Sequence, residues 1–187
     1  MHYIEEYGAY AEINGFRNVK FSDAEGFLKD SRSRGRLNLE LQFFDASLIA
    51  TSRHLYFAVL NALQAFQNKT NISKRLAVET MLYASAQRQI QRAIQRCGIK
   101  PQTQNMATTI IGESPAEIQA LLSEISFCVR AEPDESVLEM TAEKLEKIKK
   151  TFQVKAEEVK SVIKNENQND AVVSLVIERV ALLATQL

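Results

Sequence analysis

Residues 37–44, LNLELQFF, set Leu37, Leu39, Leu41 and Phe43 against Asn38, Glu40 and Gln42. Strict alternation has the period of a strand with one buried face, so a strand is predicted there. The period then changes. Over residues 52–68, Leu55, Val59, Ala62, Leu63 and Phe66 share one helical face, with His54 in the first turns. A lone helical histidine reads as packed or capping rather than catalytic.

Residues 71–98 read as two consecutive helices. In the second, Ile90, Ala93, Ile94 and Cys97 form one apolar face, which predicts burial. Its other side carries Arg88, Arg92 and Arg96 one turn apart, interleaved with Gln87, Gln91 and Gln95. Gly98 is expected at the C′ position, and Pro101 prevents continuation.

Elsewhere the signals are local. Residues 3–13 predict a first strand closed by Asn14-Gly15, and Ser22 is placed as the cap of a short helix. Residues 31–36, SRSRGR, read as an exposed loop and a second, smaller basic cluster. Residues 105–112 predict a strand, and Ser114-Pro115-Ala116-Glu117 is a capping box opening a helix with Ile118, Leu121, Leu122 and Ile125 inside. A further strand is expected at either 126–131 or 136–140. Thr141 caps a helix to Lys150, residues 156–165 start another, and ENQND reads as a polar break. In the last helix, 170–185, Val172, Val173, Val176, Ile177, Val180 and Leu183 line one face, which Leu175 and Leu182 widen. So wide an arc belongs either to the centre of the fold or to an interface with another protein. The fold class expected is α+β: one domain over 1–187, with a small, mainly antiparallel sheet of about four strands packed against several helices.

Composition sharpens the function classes. The 187 residues are 45% hydrophobic, enough for one sizeable core. Charges balance at 23 basic and 23 acidic, which excludes a generic polyanion binder; the basic charge is local instead. Residues 132–170 hold ten acids against seven bases, which implies two faces with different partners. Two cysteines without metal-ligand spacing, no signal-peptide pattern and no long apolar run point to a reduced, cytoplasmic protein without a membrane span. Glycines stand singly, without a phosphate-cradling loop, and His2 and His54 lie far apart. Neither a metal cluster nor a nucleophile–base pair emerges, so no enzyme, cofactor, metal or small-molecule substrate is expected. The arginine stripe is either a solvated basic face or a docking surface where guanidinium forks meet successive phosphates. Tyr83, just before it, either stacks a base or belongs to the core.

The same stretch carries a resemblance. Asn71, Ile72, Ser73, Leu76, Glu79, Leu82, Tyr83, Ser85, Arg88, Gln89, Ile90, Ala93, Ile94 and Gly98 fit one spaced pattern. Upstream, Phe44-Asp45-Ala46, Ile49-Ala50, His54-Leu55 and Ala58 extend it. Over roughly residues 40–113 the chain resembles the PRPK-binding-protein family, the CGI-type regulatory subunit of the KEOPS complex. Where that family often has glycine this chain has Ala86, a departure that matters if a ligand backbone approaches there. The resemblance implies a non-catalytic subunit that binds the small atypical kinase/ATPase of KEOPS. It also implies recruitment of tRNA by its single-stranded CCA end for threonylcarbamoyladenosine modification, with the transferase chemistry in another subunit. The implied RNA-binding set is Ser73, Lys74, Arg75, Tyr83, Ser85, Arg88, Gln89, Arg92 and Arg96. The implied kinase-docking set is Leu175, Ile177, Arg179, Leu182 and Leu183. An adaptor that turns its arginines to acidic protein, without binding RNA, is the alternative.

Overall fold

Strand β4 (Met106–Gly112) lies at the middle of the sheet and is buried along its whole length. The computed structural model describes residues 1–33, 38–163 and 167–185. Strand β2 (Ala9–Phe16) runs antiparallel to β4 on one side, with Ile13 opposite Thr109. Strand β3 (Leu39–Asp45) does the same on the other, with Gln42 opposite Thr109. Strand β1 (His2–Ile4) pairs with β2, giving the order β1-β2-β4-β3, antiparallel throughout.

Two strand expectations are corrected. The N-terminal strand is split: a 3-10 turn at Glu5–Tyr7, closed by left-handed Gly8, separates β1 from β2. Nor does Asn14-Gly15 close it, because Asn14 and Gly15 pair with Thr108 and Ala107. Gly15 is needed there for closeness rather than for a turn, since a Cβ would stand 2.7 Å from the Asp134 carbonyl oxygen. The fourth strand is therefore β1, and neither 126–131 nor 136–140 supplies one. Helix α5 (Pro115–Val129) runs through most of the first segment, and a 3-10 turn (Glu135–Leu138) occupies the second.

Helices cover both faces of the sheet. Leu39, Leu41, Phe43, Met106 and Ile110 pack under α1 (Phe21–Ser33) and α5. On the other face, Ile13, Phe44 and Ala107 join the largest core cluster. That cluster is built with α2 (Ser52–Gln67), α3 (Leu76–Ser85), α6 (Ala142–Phe152) and α8 (Gln168–Leu182). The single buried face expected of β3 is thus corrected to two. Its polar residues serve inside: Gln42 is buried and donates to the Phe43 carbonyl at 2.9 Å, and Glu40 accepts the Ala77 N–H at 3.0 Å, capping α3.

Caps set the helix starts. Ser114 accepts from the Glu117 N–H behind Pro115, and Thr141 accepts from the Lys144 N–H, both as the sequence implies. Ser22 is not a cap, because α1 begins at Phe21 and the Asp23 and Ala24 N–H groups donate to the Lys20 carbonyl. Asn167 caps α8 by accepting the Asp170 N–H, so the helix begins inside the stretch expected to be a break. Helix α7 (Ala156–Val162) starts as expected, while residues 164–166 fall outside the described ones. The end of SRSRGR does too; its first three residues complete α1.

Candidate functional site

Helix α2 anchors the region through His54. Its Nδ1 accepts the Ala50 N–H at 3.1 Å, and its Nε2 donates to the Ala84 carbonyl at 2.8 Å, so both ring nitrogens are used. Burial pushes its pKa down to about 4, and the imidazole is neutral at pH 7. The ring edge meets Phe152 of α6 with centroids 5.4 Å apart. His54 is the packed group that its helical position implied.

The loop leading into α3 is shaped by a buried carboxylate. Glu79 accepts the N–H groups of Ile72 (3.1 Å) and Ser73 (2.7 Å), while the Ser73 hydroxyl accepts the Arg75 N–H at 3.1 Å. Asn71 closes the turn by donating to the Ser73 carbonyl. The spacing of Asn71, Ser73 and Glu79 is thus a scaffold that turns Lys74 and Arg75 outward. Arg75 also faces Glu40 at 3.6 Å. In the sequence Glu79 is one position of the family pattern without a role attached, and a lone acid six residues after a serine is too weak a signal to reveal one.

Tyr83 and Ser85 are buried in α3, and Ser85 donates to the Leu82 carbonyl. At the end of α3, Ala86 adopts the left-handed region (φ 48, ψ 45), with N–H bonds from Ala86 and Gln87 back to Tyr83 and Leu82. This geometry accounts for a glycine preference at that place without a ligand.

Helix α4 (Ile90–Cys97) is shorter than expected. Arg88 precedes it in the connecting turn, so the stripe of three on one helix is corrected to Arg92 and Arg96 on the helix plus Arg88 beside it. The apolar face is corrected as well. Ala93 and Cys97 are buried, but Ile90 is 39% and Ile94 51% exposed. The reason is shortness: two turns give α4 room for only two buried anchors. Arg88, Gln89 and Arg92 face solvent, while Arg96 turns inward. It donates to the Ser85 carbonyl at 3.0 Å and lies 5.9 Å over the Phe152 ring.

The terminal helix divides differently. Leu175 and Leu183 are core, Ile177 is half-buried, and Leu182 is 45% exposed. Arg179 is a brace: it donates to the Phe152 carbonyl (2.8 Å), the Leu175 carbonyl (3.1 Å) and both Glu158 oxygens (2.9 and 3.0 Å). The Lys155 N–H, together with Arg179, holds the Glu158 carboxyl below its usual range. Arg96 and Arg179, assigned from sequence to separate surfaces, line one pocket of about 220 Å³ with Gln87, Phe152, Gln153 and Leu182.

The Cys97 thiol is buried, which pushes its pKa up to about 12 and leaves it protonated. No three His, Cys, Asp or Glu side chains among the described residues converge as a metal site requires. No helix among them is long and apolar enough to cross a membrane.

The sequence profile of the family described as Kinase binding protein CGI-121 matches residues 16–184. The chain belongs to that family. It is also similar to the Regulatory protein Cgi121 of Methanocaldococcus jannaschii, with 29% identity over 119 residues, 64% of this chain and 74% of the relative. A CGI-121 chain is a kinase-binding regulatory protein, which agrees with the resemblance read from residues 40–113. The match extends well beyond that stretch, through α5 to the end of α8.

Proposed function

We propose that this CGI-121 chain is the non-catalytic, kinase-binding subunit of a KEOPS complex, and that it recruits tRNA by the single-stranded CCA end. The carrying observation is the outward face of α4 and its entry turn, where Ile90 and Ile94 stand exposed beside Arg88 and Arg92. Phosphates of a duplex need only the cations. An unpaired end also presents base faces and edges, which apolar side chains and Gln89 complement. Lys74 and Arg75, with exposed Ile72, repeat that mixture at the other end of α3, about 15 Å away along a ten-residue helix. Arg96 holds α4 in place, and Tyr83, Ser73 and Ser85 shape the surface from beneath.

For the kinase, exposed Leu182 and its neighbour Arg179 at the end of α8 are the candidate anchor. Arg179 acts by fixing α8 against α6 and α7.

The test is binding of radiolabelled tRNA to the Arg88→Glu/Arg92→Glu protein. Two charge reversals at phosphate contacts are expected to weaken binding by about a hundredfold or more, with a steep dependence on salt. An unchanged dissociation constant in the folded variant overturns the RNA reading. Equal binding of tRNA trimmed of its CCA leaves only a basic patch. Leu182→Arg is expected to stay folded, keep its tRNA affinity and lose the kinase in co-purification. Retention of the kinase rules Leu182 out as an anchor. The adaptor reading draws on the same exposed isoleucines, and it holds if acidic protein binds while tRNA does not.

A further inference from the structure

The ends of two helices meet at the pocket that Arg96 and Arg179 share. Helix α3 stops at Ala86 and α6 at Gln153, both in the left-handed region (φ 48 and 54). The last carbonyls of a helix have no partner within it and carry its negative dipole end. Here arginines satisfy them. The Ser85 carbonyl accepts from Arg96, and the Phe152 and Gln153 carbonyls accept from Arg179.

The two arginines differ in what remains. Arg179 engages Nε, Nη1 and Nη2, and Glu158 matches its charge at 2.9 Å. A guanidinium presents a fork of several N–H donors, and Arg96 spends one of them, from Nη1, on Ser85. Among the described residues Arg96 makes no other hydrogen bond and no ion pair. Phe152 covers one face of it at 5.9 Å, which keeps water away and strengthens any charge pair formed along the free edge. The described lining residues of the pocket include no acid.

Exposed Leu182 bounds the same pocket, with the polar side chains of Thr151 and Gln153 between the arginines. An unspent guanidinium edge beside an exposed leucine suits an acidic side chain that has an apolar neighbour. A strand phosphate suits it less. Such phosphates run along open grooves with a nucleoside on either side, whereas this space of about 220 Å³ ends between α3, α4, α6 and α8.

We propose that this pocket receives an aspartate or glutamate side chain of the kinase. Its carboxylate pairs with the free edge of Arg96, and an apolar neighbour packs on Leu182. Arg96 is thereby a contact for the kinase rather than for RNA. The inference rests on the reading of the end of α8 as the kinase anchor and supplies that anchor with its chemistry.

The experiment titrates purified kinase into the full chain by calorimetry at low and high salt, with tRNA binding measured in parallel. Arg96→Gln should weaken kinase binding by about tenfold or more and flatten its salt dependence, because the partner's carboxylate is left without a counter-charge. Arg96→Lys should recover only part of the loss, since an ammonium cannot form the fork. Gln153→Glu lies at an exposed position and keeps the contacts of Arg96 with Ser85 and Phe152. It should weaken kinase binding by about fivefold through like-charge repulsion, with an unchanged melting temperature. Affinity for tRNA should change far less than affinity for the kinase in all three. Loss of tRNA with the kinase retained gives Arg96 to the nucleic acid and overturns the proposal. A Gln153→Glu protein that binds the kinase as the parent does overturns it too. Leu182→Arg separates the two failures. If it loses the kinase while Arg96→Gln and Gln153→Glu keep it, the α8 anchor stands and the pocket is not used. If all three keep the kinase, the anchor falls with the pocket.

Discussion

Helices α4 and α8 carry similar apolar patterns in the sequence and end in opposite situations. Helix α4 buries Ala93 and Cys97 and leaves Ile90 and Ile94 in water. Helix α8 buries Ala171, Val172, Val173, Leu175, Val176 and Val180 among α2, α3, α6 and α7. Periodicity reports that a face exists; what covers it depends on neighbours supplied from far along the chain. The arginines show the same divide. Arg92 on α4 reaches solvent, while Arg179 on α8 spends its guanidinium on three carbonyls and a carboxylate. One helix presents chemistry and the other is packed, apart from its last exposed turn.

The sharpest break of this comparison is an identical insult to each helix. Leu175→Arg places an unpaired charge in the core and should cost about 3–5 kcal/mol, enough to unfold or aggregate the protein. Ile94→Arg on α4 should stay within about 0.5 kcal/mol of the parent by urea titration, as an exposed position does. Equal losses would mean that α4 is packed after all.

Next in size is the pH dependence set by His54, which joins α2 to the end of α3 beneath α4. Its folded pKa is depressed to about 4, against about 6.5 in an unfolded chain. The unfolded state therefore binds the proton first. Stability is fully present above about pH 6.5 and falls by up to about 3 kcal/mol as pH drops towards 4. Denaturation midpoints measured across that window should show the loss, and His54→Gln should flatten it. A parent profile as flat as the variant's would contradict the buried neutral imidazole.

Arg179→Ala should cost about 2 kcal/mol, because charged hydrogen bonds to carbonyls and Glu158 are lost together. The loss should appear as earlier proteolysis of α7 and α8. The smallest effect has the opposite sign. Ala86→Gly should stabilise the chain by about 1 kcal/mol, since the left-handed cap disfavours a Cβ. It should leave the proposed tRNA binding unchanged if Ala86 only terminates α3, whereas a gain in affinity would place a ligand backbone there.

How much was legible follows the range of the forces. The α+β class, α2, β3, β4, the Ser114-Pro115 start and the Thr141 cap all come from residues within a few places of one another. What failed was long-range. The alternation of β3 hides that Gln42 and Glu40 face a second helical layer. Strand β1 is three residues long and exists because β2 lies beside it. Of the candidate surface residues, Lys74, Arg88, Gln89 and Arg92 lie outside, whereas Ser73, Tyr83 and Ser85 lie beneath. The meeting of Arg96 and Arg179 at one pocket needs α4 and α6 to approach the end of α8, which no local pattern encodes. Glu79, which organises the loop before α3, went unread for another reason: its bonds to Ile72 and Ser73 are local, but one acid six residues after a serine carries no periodic signal.

The placement of β4 has a consequence for how the chain comes into being. Its two neighbours are made long before it: Ile13 waits for Thr109, and so does Gln42. Until the ribosome has delivered Met106–Gly112, β2 and β3 have no strand to bridge them, and each carries an unpaired backbone edge. Helices α2 and α3, contiguous in sequence, can dock before then. Pairings this distant carry a large loop-closure cost, so sheet closure is the slow step and the half-made chain is its most aggregation-prone form. A truncation just before Met106 should therefore yield helical but sticky fragments, and the central strand acts as the clasp that ends the vulnerable interval.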